Sequence, residues 1–158
     1  MPQPKPWQHD FLAIDGADDI PGASDLLALW RGRRGGRMMP AWSDFEMIDF
    51  RPWIGNVSVD EIRSNPFDCV TRLWGTGLTA LYGFDATGRS LRDSYELRGL
   101  TPEDFAFWER VALTPCIGIG RGTIDWQNRE HVSVMRVFLP LAGATGLASM
   151  IMAVAFTT

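Results

Sequence analysis

The chain has 158 residues, 46% of them hydrophobic, with 15 Lys and Arg against 19 Asp and Glu for a formal net charge of −4. A domain of this length buries roughly 68–70% of the surface its unfolded chain exposes, so a core forms without metals or disulfides. The mildly acidic balance argues against a general nucleic-acid binder, and the composition excludes disordered, collagen-like and disulfide-scaffold classes. Seven Trp and nine Phe beside two Tyr leave three uses open: a dense core, a ligand pocket or a partner face.

The first residues, Met1 to Phe11, carry Pro2, Pro4 and Pro6 and no apolar run. They read as an extended, loosely held leader and not as a signal peptide. Residues 1–22 are accordingly expected to be a flexible leader and 23–158 a single domain. Ser24 is placed to cap a helix running to about Arg34, with Leu26, Leu27 and Trp30 on one apolar face and Gly35-Gly36 stopping it. The run Arg31-Gly-Arg-Arg-Gly-Gly-Arg37 also reads as an RGG-like tract, but a single short run in an acidic chain is poor support for nucleic-acid binding.

Pro40 precedes Ser43-Asp-Phe-Glu46, which has capping-box spacing, and Asp49 precedes a second short helix containing Pro52. From Asn56 to Ile62, Val57, Val59 and Glu61 alternate with Ser58, Asp60 and Ile62. Ser64-Asn65-Pro66 is a turn, and Phe67 to Trp74 a second strand, so the two form an antiparallel hairpin. Thr76 to Tyr82 is a short helix ended by Gly83, and Ser90 to Asp93 has room for one more helical turn. Thr101-Pro102-Glu103-Asp104 is a helix start, with Phe105, Trp108, Val111 and Ala112 as its inward stripe and Pro115 after it. Cys116 to Ile124, His131 to Leu139 and Leu147 to Thr157 follow as strands, with turns at Gln127-Asn128-Arg129 and Ala142 to Gly146. This order specifies an α+β domain with one five-stranded antiparallel sheet, short helices on one face and an extra N-terminal helix.

The same order is that of a PAS domain, and the residues resemble those of a bacterial family of small, mostly stand-alone PAS-like proteins. The resemblance begins with Leu29-Trp30, Gly35-Gly36-Arg37 and Met39-Pro40, and continues through the acidic, Pro-containing stretch Asp44 to Trp53. Its most specific part is Arg-x-x-Gly-Thr and then Gly-x-Asp-x-Thr-Gly-Arg, present as Arg72, Gly75, Thr76, Gly83, Asp85, Thr87, Gly88 and Arg89. Leu139-Pro140-Leu141 completes it, and the likeness spans about Leu26 to Phe156. Gly75-Thr76 reads as a strand-to-helix junction in which glycine permits the bend and Thr76 caps the helix. Arg72 and Arg89 are suited to a bidentate contact with a ligand carboxylate, although Arg89 equally suits a structural pair with Asp85.

The resemblance implies a pocket between the inner sheet face and the short helices, with Trp74, Leu78, Tyr82, Phe105, Trp108, Val134, Arg136, Met150 and Met152 as its lining. Together with Arg72 and Arg89 these are the candidate ligand-binding residues. No cofactor is expected. The helix from Thr101 to Leu113 carries no His for haem, and neither Cys69 nor Cys116 sits in the flavin-adduct motif. Gly118-Ile-Gly-Arg-Gly122 lacks the Lys and helix of a phosphate loop and reads as a twisted or bulged strand. No metal site or catalytic constellation is present in the pattern, so an enzyme is not expected.

Two functions follow as expectations. One is a sensory module that binds a small apolar or carboxylated ligand and signals through a separate output protein. The other is a dimerisation module with a self-filled pocket, using Leu27, Trp30 and the outer sheet face as its patch. A homodimer is expected under either. The longest apolar stretch, Leu147 to Phe156, falls short of the ~20 residues of a membrane helix, so neither a membrane nor a nucleic acid is an expected partner and the cytoplasm is the expected compartment.

Overall fold

A computed structural model describes residues 6–124 and 132–157. The expected strand start at His131 and the expected turn at Gln127-Asn128-Arg129 lie outside the described residues. The elements are β1 (Gln8–Leu12), α1 (Ser24–Arg34), short 3-10 helices at Trp42–Asp44 and Met47–Trp53, β2 (Val57–Arg63) and β3 (Asp68–Trp74). They continue with α2 (Thr76–Tyr82), α3 (Pro102–Leu113), β4 (Ile117–Ile124), β5 (Val132–Ala142) and β6 (Ala148–Thr157). The strands form one antiparallel sheet in the order β1-β4-β5-β6-β2-β3.

The sheet has six strands, not the five expected. The additional strand is β1, which pairs with β4 from Gln8 opposite Arg121 to Leu12 opposite Ile117. The prolines of the leader conceal a period of two: Trp7, His9 and Phe11 face one side, while Leu12 joins the core on the other. Pairing gives the outer backbone groups of β4 their partners, which an edge strand would otherwise leave to water.

Both faces of the sheet are covered. On one, α1 lays Leu26, Leu27 and Trp30 against Ile117, Ile119, Val137, Leu139, Leu141, Met152 and Val154. The Trp30 indole, fully buried, donates to the Pro140 carbonyl at 3.0 Å. Leu27 and Trp30 are therefore core residues and not the exposed dimer patch anticipated from the sequence. Ser24 is the first helical residue and not the cap, its hydroxyl donating to Asp19 at 2.6 Å. On the opposite face, α3 packs Phe107, Trp108, Val111 and Ala112 onto Cys116, Phe138, Ile151 and Ala153. Phe107 takes the inward position assigned to Phe105, which lies edge-on against Phe67. The start of α3 is as expected: the Thr101 hydroxyl accepts from the Asp104 N–H, and Asp104 accepts from the Thr101 N–H.

Glycine sets two close approaches. At the start of α2 the flanking residue is Gly75, with Thr76 inside the helix, and a Cβ at Gly75 would lie 2.1 Å from the Gly55 carbonyl oxygen. In β4, Gly118, Gly120 and Gly122 share one face. A Cβ at Gly118 would stand 2.6 Å from Phe107, and one at Gly122 2.5 Å from the Trp7 indole. The glycine run thus seats α3 and Trp7 against the sheet. Gly118→Ala forces α3 outward and is expected to cost about 1–3 kcal/mol. Gly36→Ala, with nothing within 4 Å of the new Cβ, is expected to stay within roughly 0.5 kcal/mol of the parent. Denaturant midpoints compare the two, and equal midpoints would refute this role of Gly118.

Candidate functional site

On the α3 side the sheet does not pack solid. A cavity of about 540 Å³ opens between the ends of β3, β4 and β5, helices α2 and α3, and the irregular segment 83–100. Its apolar wall is largely aromatic: Trp74, Tyr82, Phe84, Phe107, Trp108 and Phe138, with Trp7 from the N-terminal segment at the bare face of Gly120. Trp74 and Phe84 stack at 5.8 Å between ring centres, and the Trp74 indole donates to the Phe84 carbonyl at 3.1 Å. His9 stacks on Phe107 at 4.6 Å and reaches Asp104 at 2.9 Å, tying β1 to the first turn of α3 at the cavity wall.

The polar part of the site is built from β2, β3, β5 and segment 83–100. Ser58, Asp60 and Thr71 are buried on the cavity side. The Thr71 hydroxyl donates to Asp60 Oδ1 at 2.6 Å and accepts from Arg98 Nη2 at 2.9 Å. Arg98 Nε donates to the Ser94 hydroxyl, which donates in turn to the Ser90 carbonyl. From β5, Arg136 Nη2 donates to Ser58 Oγ at 2.9 Å. The Arg136 guanidinium lies within 6 Å of Trp74, Tyr82 and Phe138, and Arg98 also lies over Trp74 at 5.6 Å. Such cation–π contacts stabilise a guanidinium that has lost its water.

In this cluster Asp60 Oδ2 and Arg136 Nε are buried without a hydrogen-bond partner among the described residues; away from it, Arg31 Nε and Nη2 are too. Burial raises the Asp60 pKa, opposed by the Thr71 hydrogen bond and by the charges of Arg98 and Arg136. Burial likewise lowers that of Arg98, with Asp60 acting in the other direction. The Cys69 thiol is pushed up by burial and by the nearby Asp60 and Asp68, which makes it a poor nucleophile.

Of the residues expected to form the pocket, Trp74, Tyr82, Trp108 and Arg136 line the cavity. Leu78 and Val134 are buried in the cluster around Trp74 without lining it. The remaining five are placed elsewhere. Phe105 lines a shallow groove with Arg92 and Tyr95. Arg72 is half-exposed and paired with Glu61 at 2.8 Å. Arg89 is exposed, and Asp85 is engaged by the N–H and hydroxyl of Thr87. Met150 and Met152 face α1, because the alternation of β6 gives the cavity side to Ile151, Ala153 and Ala155. Arg98 and Asp60 stand in no motif of the sequence that points to this role. The one available signal was the polar member of the Val57–Ile62 alternation, here buried because both sheet faces are covered.

An antiparallel sheet holding a cavity beneath short helices, with a separate helix behind it, defines an α+β class with a small-molecule-sized cavity on one sheet face. Across 99% of its length the chain superposes on a solved structure described as an RNA-binding Light-Oxygen-Voltage receptor, with a TM-score of 0.55 and 12% identity. It spans 40% of that receptor's chain. The model of the PAS domain family matches residues 19–155, so the chain belongs to the PAS domain family. Comparison with curated proteins finds no sequence match. No helix among the described residues is long and apolar enough to cross a membrane.

The Asp60 environment fixes a sign for pH dependence. A carboxyl held more protonated in the fold than in the unfolded chain contributes stability that is complete below the unfolded value, near 3.8, and fades as pH rises through the folded one. The parent should therefore lose stability relative to Asp60→Asn as pH increases from about 3.5. Paired urea titrations measure this, and a difference that is flat or of opposite slope would show that the Thr71 and arginine contacts outweigh burial at Asp60.

Proposed function

We propose that this PAS domain is a sensory module that binds a small molecule in the cavity and passes its occupancy to a separate output protein, acting as a homodimer. The observation that carries this reading is the Arg136 side chain, 6% exposed, which lines the cavity with an unpartnered Nε. Buried polar groups are almost always satisfied, and an unmet donor on a cationic residue that lines a cavity favours an occupant there. A pocket filled by its own side chains would not leave this volume, and this favours ligand binding over the purely dimerising alternative. Membership of the PAS family supports the regulatory character. The Light-Oxygen-Voltage receptor, described as RNA-binding, illustrates a similar fold within a larger receptor chain. The mildly acidic composition here favours a protein as the recipient of the signal.

Thermal unfolding of the purified chain against neutral, cationic and anionic small molecules tests the reading. A true ligand at 100 times its Kd adds about 2.7 kcal/mol and shifts the midpoint by several degrees. If no compound class produces a shift, and native mass spectrometry finds the protein without a bound molecule, the cavity is not a ligand site.

A further inference from the structure

The composition of the cavity selects among ligands. We infer that it takes an aromatic monocarboxylate, with its carboxylate at the Arg98–Arg136 end and its ring against the aromatic wall. This rests on the small-molecule reading above and narrows it.

The first argument is charge. Arg98 and Arg136 share the Trp74 ring at 5.6 and 5.8 Å, and the acid that acts on both is Asp60. Asp104, at the wall, is engaged by His9 and by the Thr101 N–H, and Glu96 is exposed. The Arg98–Arg136–Asp60 cluster therefore holds two cations against one buried acid, an excess of at least one positive charge. An uncompensated buried charge is costly, and a single anion removes the imbalance.

The second argument is the geometry of the donors. Three ring centres lie 4.9 to 5.8 Å from the carbon of the Arg136 guanidinium, whose N–H bonds lie in its own plane. Contact with rings uses none of the donors along its Nε–Nη2 edge. On that edge Nη2 reaches Ser58 and Nε is unpartnered. A carboxylate suits such an edge because its two oxygens accept parallel N–H bonds.

The third argument is the wall opposite. Phe84, Phe107, Trp108 and Leu97 offer apolar and ring surface, which rewards a flat aromatic body. A second carboxylate would meet these rings and the acids Asp104 and Glu96, which also line the cavity. A neutral apolar ligand would leave the charge excess and the Nε orphan in place. The volume of about 540 Å³ falls within the ordinary range for small-molecule sites.

The test uses the whole chain and matched probes. Phenylacetate and indole-3-acetate are titrated by calorimetry beside phenylacetamide and indole-3-acetamide, with succinate and hexanoate as further comparators. The aromatic acids should bind roughly tenfold to a hundredfold more tightly than their amides and more tightly than either aliphatic acid. Arg136→Gln should bring the acids down to the level of the amides while leaving the amides unchanged. If that variant does not fold, the contrast between acid and amide on the parent protein decides alone. Amides that bind as well as the acids would overturn the carboxylate assignment, and hexanoate that binds as well as phenylacetate would overturn the aromatic one. In both cases the cavity remains a ligand site. If none of these probes binds while a cationic or neutral compound shifts the melting midpoint, the inferred class is wrong and the sensory reading stands. If nothing binds at all, both fail.

Discussion

Strand β3 carries one residue more than the stretch of β2 it faces, and that residue decides which side chains reach the cavity. Val59 pairs with Leu73 and Asp60 with Thr71, which leaves Arg72 as the extra residue of a bulge. In an unbroken ladder continuing from Asp60–Thr71, Leu73 would stand opposite Ser58 and Trp74 opposite Val57. Leu73 would then face the cavity, and Trp74 would be turned towards α1. The extra residue reverses that parity: Trp74 lies opposite Ser58, Leu73 packs with the α1 core, and Arg72 reaches the surface to meet Glu61. Thr71 and Trp74 can then share one face although they are three positions apart. The polar cluster and the aromatic wall both depend on this offset.

The two sides of the sheet consequently differ in kind. Towards α1 the strands present Ile117, Ile119, Val137, Leu139, Met152 and Val154, and these interdigitate with Leu26, Leu27 and Trp30 as an ordinary core. Towards α3, β4 offers three glycines, β6 offers Ala153 and Ala155, and β2 offers Ser58 and Asp60. Small and polar groups on the sheet leave space that rings from α2, α3 and segment 83–100 only partly fill. The cavity is thus a property of side-chain size on one face, supported by a rigid layer on the other.

The legible parts of this fold were those governed by local chemistry. Asn65-Pro66 marks the hairpin, Gly83 the end of α2, and Thr101 with Asp104 the start of α3, because each acts on backbone within a few residues of itself. Orientation of the strands was not legible in the same way. In β6 both alternating sets, Met150, Met152 and Val154 against Ile151, Ala153 and Ala155, are apolar, so periodicity does not say which faces a pocket. Arg98 lies in a segment without periodicity, and its role arises from Thr71 and Ser94 closing on it in space. Arg72 belonged to the most specific motif in the chain, yet its position there reflects the bulge and not contact with a ligand. For β1 the prolines dominated the reading, while the partner that orders the segment, the glycine-rich β4, lies more than 100 residues away.

The Asp60, Arg98 and Arg136 cluster is the least economical part of the molecule as a matter of stability. Burying three ionisable groups carries a desolvation penalty that mutual attraction only partly repays, and well-packed apolar side chains of similar size often do as well or better. The fold nevertheless surrounds the cluster with supports: Thr71 and Ser94 hold Arg98, Ser58 holds one edge of Arg136, and three rings lie within 6 Å of it. These supports fix the guanidiniums in place without neutralising them, since the aromatic faces add no negative charge and the hydroxyls add no ion. A cluster needed only for packing would gain nothing from being oriented and left positive. Orientation with residual charge is what a binding end requires, because the ordering of the donors has then been completed before an anion arrives.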